Sequence, residues 1–307
     1  MNAIKNIIMR EIKLDELYDG NFYHVCTEGL ETDVIMRDEE DFIVARNYLA
    51  LSAWSIKVDI LVFCLMSNHI HALLGAESRN LALKYIRHFK QIYSTYLHNK
   101  YGRDSALKGQ FESIALISDL KYLRNCIAYI LRNPVSARVC SKVDEYLWSS
   151  YGAYFRVDSS NAYVPITNLK GRLRRKVLRT GMNLDNCPYC IDDKGNISAE
   201  SFVRSDLVHL AFNKSGKLFL YYLGICNDAQ MEYELVNRPL VQSSDQDLLT
   251  AVETVIAQRF KKNVAQLTTG EKCSVLKYLF FNFKSTVPQL SRILGLSREL
   301  IRKVLST

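Results

Sequence analysis

At about 150 residues per domain, 307 residues make about two domains, each long enough to bury its own core, so the chain is neither a peptide nor a tail. Forty Lys and Arg against 32 Asp and Glu give a net charge of +8. With 48% hydrophobic and 23% charged residues the composition is ordinarily globular, which excludes disorder throughout. The positive balance suits a polyanionic partner without requiring one. No run reaches the roughly 18 apolar residues of a membrane span, since Ile56–Met66 is broken by Lys57 and Asp59. The N-terminal stretch MNAIKNIIMREIKLDE has no apolar signal-peptide core. The expected compartment is the cytoplasm, with no membrane partner and with the eight cysteines reduced.

In chain order, Asn21–Leu30 reads as a strand and Arg37–Leu51 as a helix, with Phe42, Ile43, Ala45, Leu49 and Ala50 at helical spacing. Ile56–Met66 reads as a buried strand, and after the turn Ser67-Asn68 the alternating segment His69–Leu74 is a second strand that Gly75 ends. Leu81–Tyr101 is a long helix with one apolar, aromatic face and a basic remainder. A Gly-containing loop, Gly102–Gly109, leads to the strand-like Gln110–Ile117, and Asp119–Leu131 is a helix that Asn133-Pro134 stops. The order βαββαβα predicts an α+β fold, an antiparallel sheet with helices packed on it. A boundary is expected near residue 157. That leaves a first domain over 1–156, a basic linker and mixed region over 157–244 and a mainly helical domain over 245–307.

Two groups of side chains can do chemistry. In His69-Ile70-His71 the period of two turns both imidazoles to one face, where they can share a divalent ion or merely cap a strand edge. Tyr129 and Asn133 lie four apart on one helix face. They can present a hydroxyl and an amide together, or pack in the core and close the helix before Pro134.

The segments MSNHIHALL (Met66–Leu74), QIYSTYLHNKYGR (Gln91–Arg103), KGQF (Lys108–Phe111), YILRNPVSARV (Tyr129–Val139) and YLWSSYGAYF (Tyr146–Phe155) together resemble the ordered motif series of the REP-associated tyrosine transposases. These are relatives of the single-tyrosine HUH transposases of small insertion sequences. The resemblance spans about residues 15–156, half the chain. It implies a ferredoxin-like HUH nuclease domain in which His69, His71 and Asn133 bind Mg²⁺ or Mn²⁺ and Tyr129 is the nucleophile. It further implies attack on single-stranded hairpin DNA, a 5′-phosphotyrosine link, a free 3′-hydroxyl and strand transfer, and it leaves a homodimer open. The sequence departs from the family at Ser67, where a proline is usual; the turn changes and the ligands do not. The assignment is chemically coherent, because a phenol with a pKa of about 10 needs nearby positive charge to act as a nucleophile at neutral pH.

Lys84, Arg87, His88, Lys90 and Lys100, with Tyr93 and Tyr96, are either contacts for single-stranded DNA, Arg87 and Lys90 foremost as a pair, or the solvated face and core tyrosines of a surface helix. In Val287–Leu305 a short helix, a Gly295 turn and Ser297 as N-cap have the spacing of a helix-turn-helix, which would aim Arg298, Arg302 and Lys303 at duplex DNA. Cys187-x-x-Cys190 lacks a matching second ligand pair and reads as a reduced loop rather than a zinc site. Two rival functions are a DNA-binding regulator that has lost catalysis and a metal-dependent hydrolase of small phosphoesters. Neither needs the tyrosine.

Overall fold

The computed structural model describes residues 12–27, 34–102, 107, 112–155, 163–228, 231, 235, 245–283, 285 and 287–305. The alternating and β-branched runs form β1 (Asn21–Thr27), β2 (Asp59–Leu65), β3 (Ile70–Ala76) and β4 (Glu112–Leu116), and the periodic segments form α1 (Glu39–Ile56), α2 (Arg79–Tyr101) and α3 (Leu120–Ser136). The strands make one antiparallel sheet in the order β2-β3-β1-β4. The fold is α+β, an antiparallel sheet with helices packed on it, and the C-terminal part is mainly helical.

Each helix starts at a side chain that satisfies an otherwise unpaired backbone N–H. The Asp38 carboxylate accepts from Asp41 N–H at 2.9 Å, the Ser78 hydroxyl from Leu81 and the Asp119 carboxylate from Tyr122 at 2.8 Å. The register sets Cys26 opposite His71, His71 opposite Cys64 and Cys26 opposite Ser113, so these side chains share a sheet face, and His24, two residues from Cys26, shares it too. The aromatic segment Tyr146–Phe155 closes the free edge of β2. Leu65 N–H donates to the Trp148 carbonyl and Ser150 N–H to that of Phe63, while the Tyr154 hydroxyl donates to the Leu61 carbonyl. An edge that would invite another strand is thereby paired within the chain.

Several boundaries differ from expectation: α1 runs on to Ile56 rather than ending at Leu51, and the strand expected from Ile56 begins at Asp59. β3 runs through Gly75 to Ala76: a Cβ at Gly75 would lie 2.8 Å from the Tyr18 ring, so glycine is there for close packing and does not end the strand. α3 continues past Asn133-Pro134 to Ser136. Pro134 forfeits one hydrogen bond in a turn that is already ending. Arg138 in the left-handed region then closes the helix, with Val139 N–H on the Pro134 carbonyl and Arg138 N–H on that of Val135. The KGQF segment and the boundary expected near 157 lie outside the described residues.

The chain divides into two compact units, residues 1–236 and 237–307. Beyond residue 162 the first unit adds β5 (Val164–Pro165), α4 (Gly171–Leu178), β6 (Cys190–Ile191), α5 (Ser205–Ala211) and α6 (Gly216–Ile225). Ile166, Leu178, Phe202, Val208 and Phe219 join the same hydrophobic core as β1 to β4. The second unit holds α7 (Asp245–Phe260), α8 (Thr269–Phe283), α9 (Val287–Leu294) and α10 (Arg298–Leu305) around Leu248, Val252, Leu276, Leu279, Leu290 and Ile301.

Candidate active site

β3, with His69 immediately before it, and α3 bring the four singled-out side chains together. The Asn133 amide stands between the imidazoles, its Oδ1 3.2 Å from His69 Nε2 and its Nδ2 3.2 Å from His71 Nε2. The two rings are nearly perpendicular with centroids 4.9 Å apart. One helical turn before Asn133, the Tyr129 ring meets His71 edge-on at 5.4 Å. His71 and Tyr129 are each 2% exposed and Asn133 8%, while His69 is partly exposed.

Burial governs the protonation of both histidines. It pushes His69 down to about 4, against the opposing Asn133 hydrogen bond. His71 is held well below the ordinary histidine value by burial first and then by the neighbouring His69 and His24. Both rings are therefore neutral at pH 7, and a neutral ring has one N–H and one lone pair.

His69 lies between two carbonyl oxygens, with Nδ1 2.7 Å from Asn68 Oδ1 and Nε2 3.2 Å from Asn133 Oδ1. One proton cannot satisfy both. A cation on the Asn133 side would leave the proton on Nδ1, against Asn68, and take the lone pair of Nε2. Asn133 Nδ2 can only donate, so His71 Nε2 is a lone pair as well. Two imidazole nitrogens and an amide oxygen thus present electron pairs around one small space, a donor set that fits a divalent cation.

The sequence reading missed two residues here. His24 Nε2 is 3.0 Å from His71 Nδ1, with the rings stacked at 25° and 5.2 Å. Ligand atoms of His24, Cys26 and His71, all buried, lie within 4.8 Å of one another. The signal was present: His24-x-Cys26 on a strand has the same alternation as His69-x-His71.

The basic side chains separate into two kinds. Lys84 and Arg87 are exposed on α2, Arg87 lying 3.8 Å from Glu112. The expectation that Arg87 and Lys90 reach a phosphate together is corrected for Lys90, which is 7% exposed with its ammonium 2.8 Å from Glu112. Lys100 is likewise held by Asp38, Glu40 and Asp41. Tyr93 and Tyr96 are core residues whose hydroxyls donate to the Ile35 carbonyl and the Asp41 carboxylate, so no base stacks on them here. In the second unit Arg298, Arg302 and Lys303 are exposed on α10, which follows Gly295 in the left-handed region and starts at Ser297, whose hydroxyl accepts from Leu300 N–H. Cys187 is buried and Cys190 begins β6; neither belongs to the metal-competent group found among the described residues.

Comparison with curated proteins returns no match. Among solved structures, a REP-associated tyrosine transposase bound to a REP hairpin is similar over 44% of this chain and 79% of its own, at 13% identity and a TM-score of 0.35. Among the described residues no helix is long and apolar enough to cross a membrane. Residues 25–112 match the family model described as IS200-like transposase, a stretch that contains β2, β3, α2 and both histidines of the His-x-His pair and ends before Tyr129 and Asn133. Over this segment, somewhat under a third of its length, the chain is similar to the IS200-like transposases.

Proposed function

We propose that the protein is a metal-dependent single-stranded DNA endonuclease and strand transferase that works through a tyrosine. The observation that carries this reading is the convergence of His69, His71 and Asn133 from a strand and a distant helix, with Tyr129 one turn away. The Tyr129 oxygen attacks a phosphodiester phosphorus, the bond to the 3′-oxygen breaks, and the 5′-phosphate stays on the ring. The phenol loses one proton and the leaving 3′-oxygen gains one. Mg²⁺ or Mn²⁺ held by His69, His71 and Asn133 would supply the positive charge that a phenol needs in order to act as phenolate, Mn²⁺ being the better match to imidazole nitrogen. Because phosphotyrosine conserves the energy of the broken ester, a 3′-hydroxyl of another strand can reverse the step.

Single-stranded hairpin DNA is the proposed substrate, with Lys84 and Arg87, exposed on α2, as its phosphate contacts. Duplex DNA is the proposed ligand of α10. The test is a labelled single-stranded hairpin incubated with Mn²⁺ and scored for an SDS-resistant complex. The native chain should form it, and Tyr129→Phe should form none while still binding the hairpin; an adduct that survives the substitution refutes the assignment.

One observation favours a second reading, a DNA-binding regulator without catalysis: Tyr129 is 2% exposed, too enclosed for a phosphate to reach its hydroxyl in this arrangement. The same assay separates the two. Tight, salt-sensitive binding by the native chain with no adduct would establish the regulator.

A further inference from the structure

His71 makes a different contact with each ring nitrogen, and the chain of contacts allows one proton placement. Asn133 Nδ2 has only hydrogens to offer, so His71 Nε2 accepts. In a neutral ring the proton must then sit on Nδ1, which faces His24 Nε2 at 3.0 Å. His24 therefore accepts through Nε2 and keeps its own proton on Nδ1, a buried nitrogen that makes no close hydrogen bond among the described residues. The backbone makes this possible: His24 lies on β1 two residues before Cys26, the register partner of His71, so the two imidazoles share a face and stack diagonally across the strand pair. Both are sealed from water, at 0% and 2% exposure, so no solvent molecule competes for the bond.

We infer that His24 is a positioning residue for the metal site, accepting the His71 Nδ1 proton and so fixing the tautomer and ring orientation that turn His71 Nε2 toward the cation. A metal-bound histidine is typically held by an acceptor on its second nitrogen, usually a carboxylate or carbonyl; here another imidazole fills that place. The inference rests on the proposed metal-dependent reading and adds to it a residue outside both the His-x-His pair and the tyrosine helix.

The first test uses the full metal-free chain with ¹⁵N-labelled histidine. Two-bond ¹⁵N–¹H correlation at pH 7 should show His71 with a protonated Nδ1 and a bare Nε2; the opposite tautomer overturns the inference whether or not metal binds. The second measures Mn²⁺ affinity by electron paramagnetic resonance. His24→Gln, whose side-chain oxygen can stand where Nε2 stood, should bind within a few fold of the native chain. His24→Asn and His24→Phe, which cannot place an acceptor there, should bind about 10- to 100-fold more weakly. Their adduct yield should recover at high Mn²⁺.

If His24→Phe fails to fold, the contrast between Gln and Asn decides. Equal affinity in all variants overturns the inference and leaves the proposed function standing. A native chain that binds no Mn²⁺ removes the proposed metal role, and the tautomer measurement still judges His24. Loss of a second, separate metal equivalent in the His24 variants would make His24 a ligand together with Cys26, and that too overturns the inference.

Discussion

The first unit hides its chemistry and the second displays its charge. In the first, His24, His71, Tyr129 and Asn133 lie between a sheet face and α3 at 8% exposure or less. In the second, a small apolar core serves to hold α10 so that Arg298, Arg302 and Lys303 stand in solvent. Burial costs polar groups their hydration, so each must be given a partner. The reward is fixed geometry, with imidazoles kept neutral and lone pairs aimed at one point. Exposure keeps long cationic side chains hydrated and mobile, which suits phosphate contacts that carry no fixed geometry. α2 bridges the two modes within one helix, since Arg87 stays in solvent while Lys90, three residues on, is enclosed against Glu112.

The largest effect should come from the buried set. His71→Ala removes one donor of the proposed cation site; a loss of several kcal/mol in transition-state stabilisation corresponds to roughly 100-fold or more in adduct formation. EDTA should abolish the native activity, and added Mn²⁺ should rescue the variant only in part. Hairpin affinity measured in EDTA should stay within a few fold, and a variant that keeps native rates would break the contrast between the buried chemistry and the surface charge.

An intermediate effect is expected at the surface. Replacing Arg298 and Arg302 together by Ala should flatten the plot of log affinity against log salt for duplex DNA by about 2, with adduct formation on a single-stranded hairpin unaltered. An unchanged slope would remove α10 from the DNA interface.

The smallest effect concerns the clamp on the tyrosine helix. The Arg132 guanidinium grips the Asp228 carboxylate through Nε at 3.0 Å and Nη2 at 2.9 Å, and the Ser136 hydroxyl donates to the same carboxylate. Burial raises the Asp228 pKa, but the Arg132 and Ser136 hydrogen bonds outweigh it and hold the carboxyl below its ordinary value. A folded-state pKa below the unfolded one means that the ionised form stabilises the fold at pH values above the ordinary aspartate range, and that this contribution fades as pH falls through the folded value. Asp228→Asn should therefore cost about 1–2 kcal/mol at pH 7, a Tm drop of a few degrees, and the gap between the two melting curves should narrow below about pH 4. A gap that stays constant to pH 3 would mean that the pair contributes by packing and not by charge.

The strands and helices of the first unit were legible because each carries a local signal: aromatic and β-branched content in β1, alternation in β3, and apolar residues at helical spacing in α1 and α2. His69, His71, Tyr129 and Asn133 were legible for the same reason, their spacings of two and four being tied to strand and helix periods. Residues 163–235 were not legible, because what fixes them is long-range. The Asn47 amide donates to the Gly195 carbonyl and accepts from Ile197 N–H, contacts about 150 residues apart in the chain that no local pattern encodes. Lys90 was misread because its spacing marks the polar face of α2, and only the arrival of Glu112 on β4 encloses it.

The sequence by itself determined which side chains are available for chemistry and which face of its own strand or helix each one takes, since periodicity is a property of the local backbone. Tertiary structure decided which of those faces meet. It laid α3 across the sheet so that Asn133 joins the two imidazoles, set His24 beside His71 through strand register, and withdrew Lys90 and Lys100 into ion pairs. Register and packing angle follow from how the whole core fills its volume, and that sum over distant residues cannot be read from any one segment.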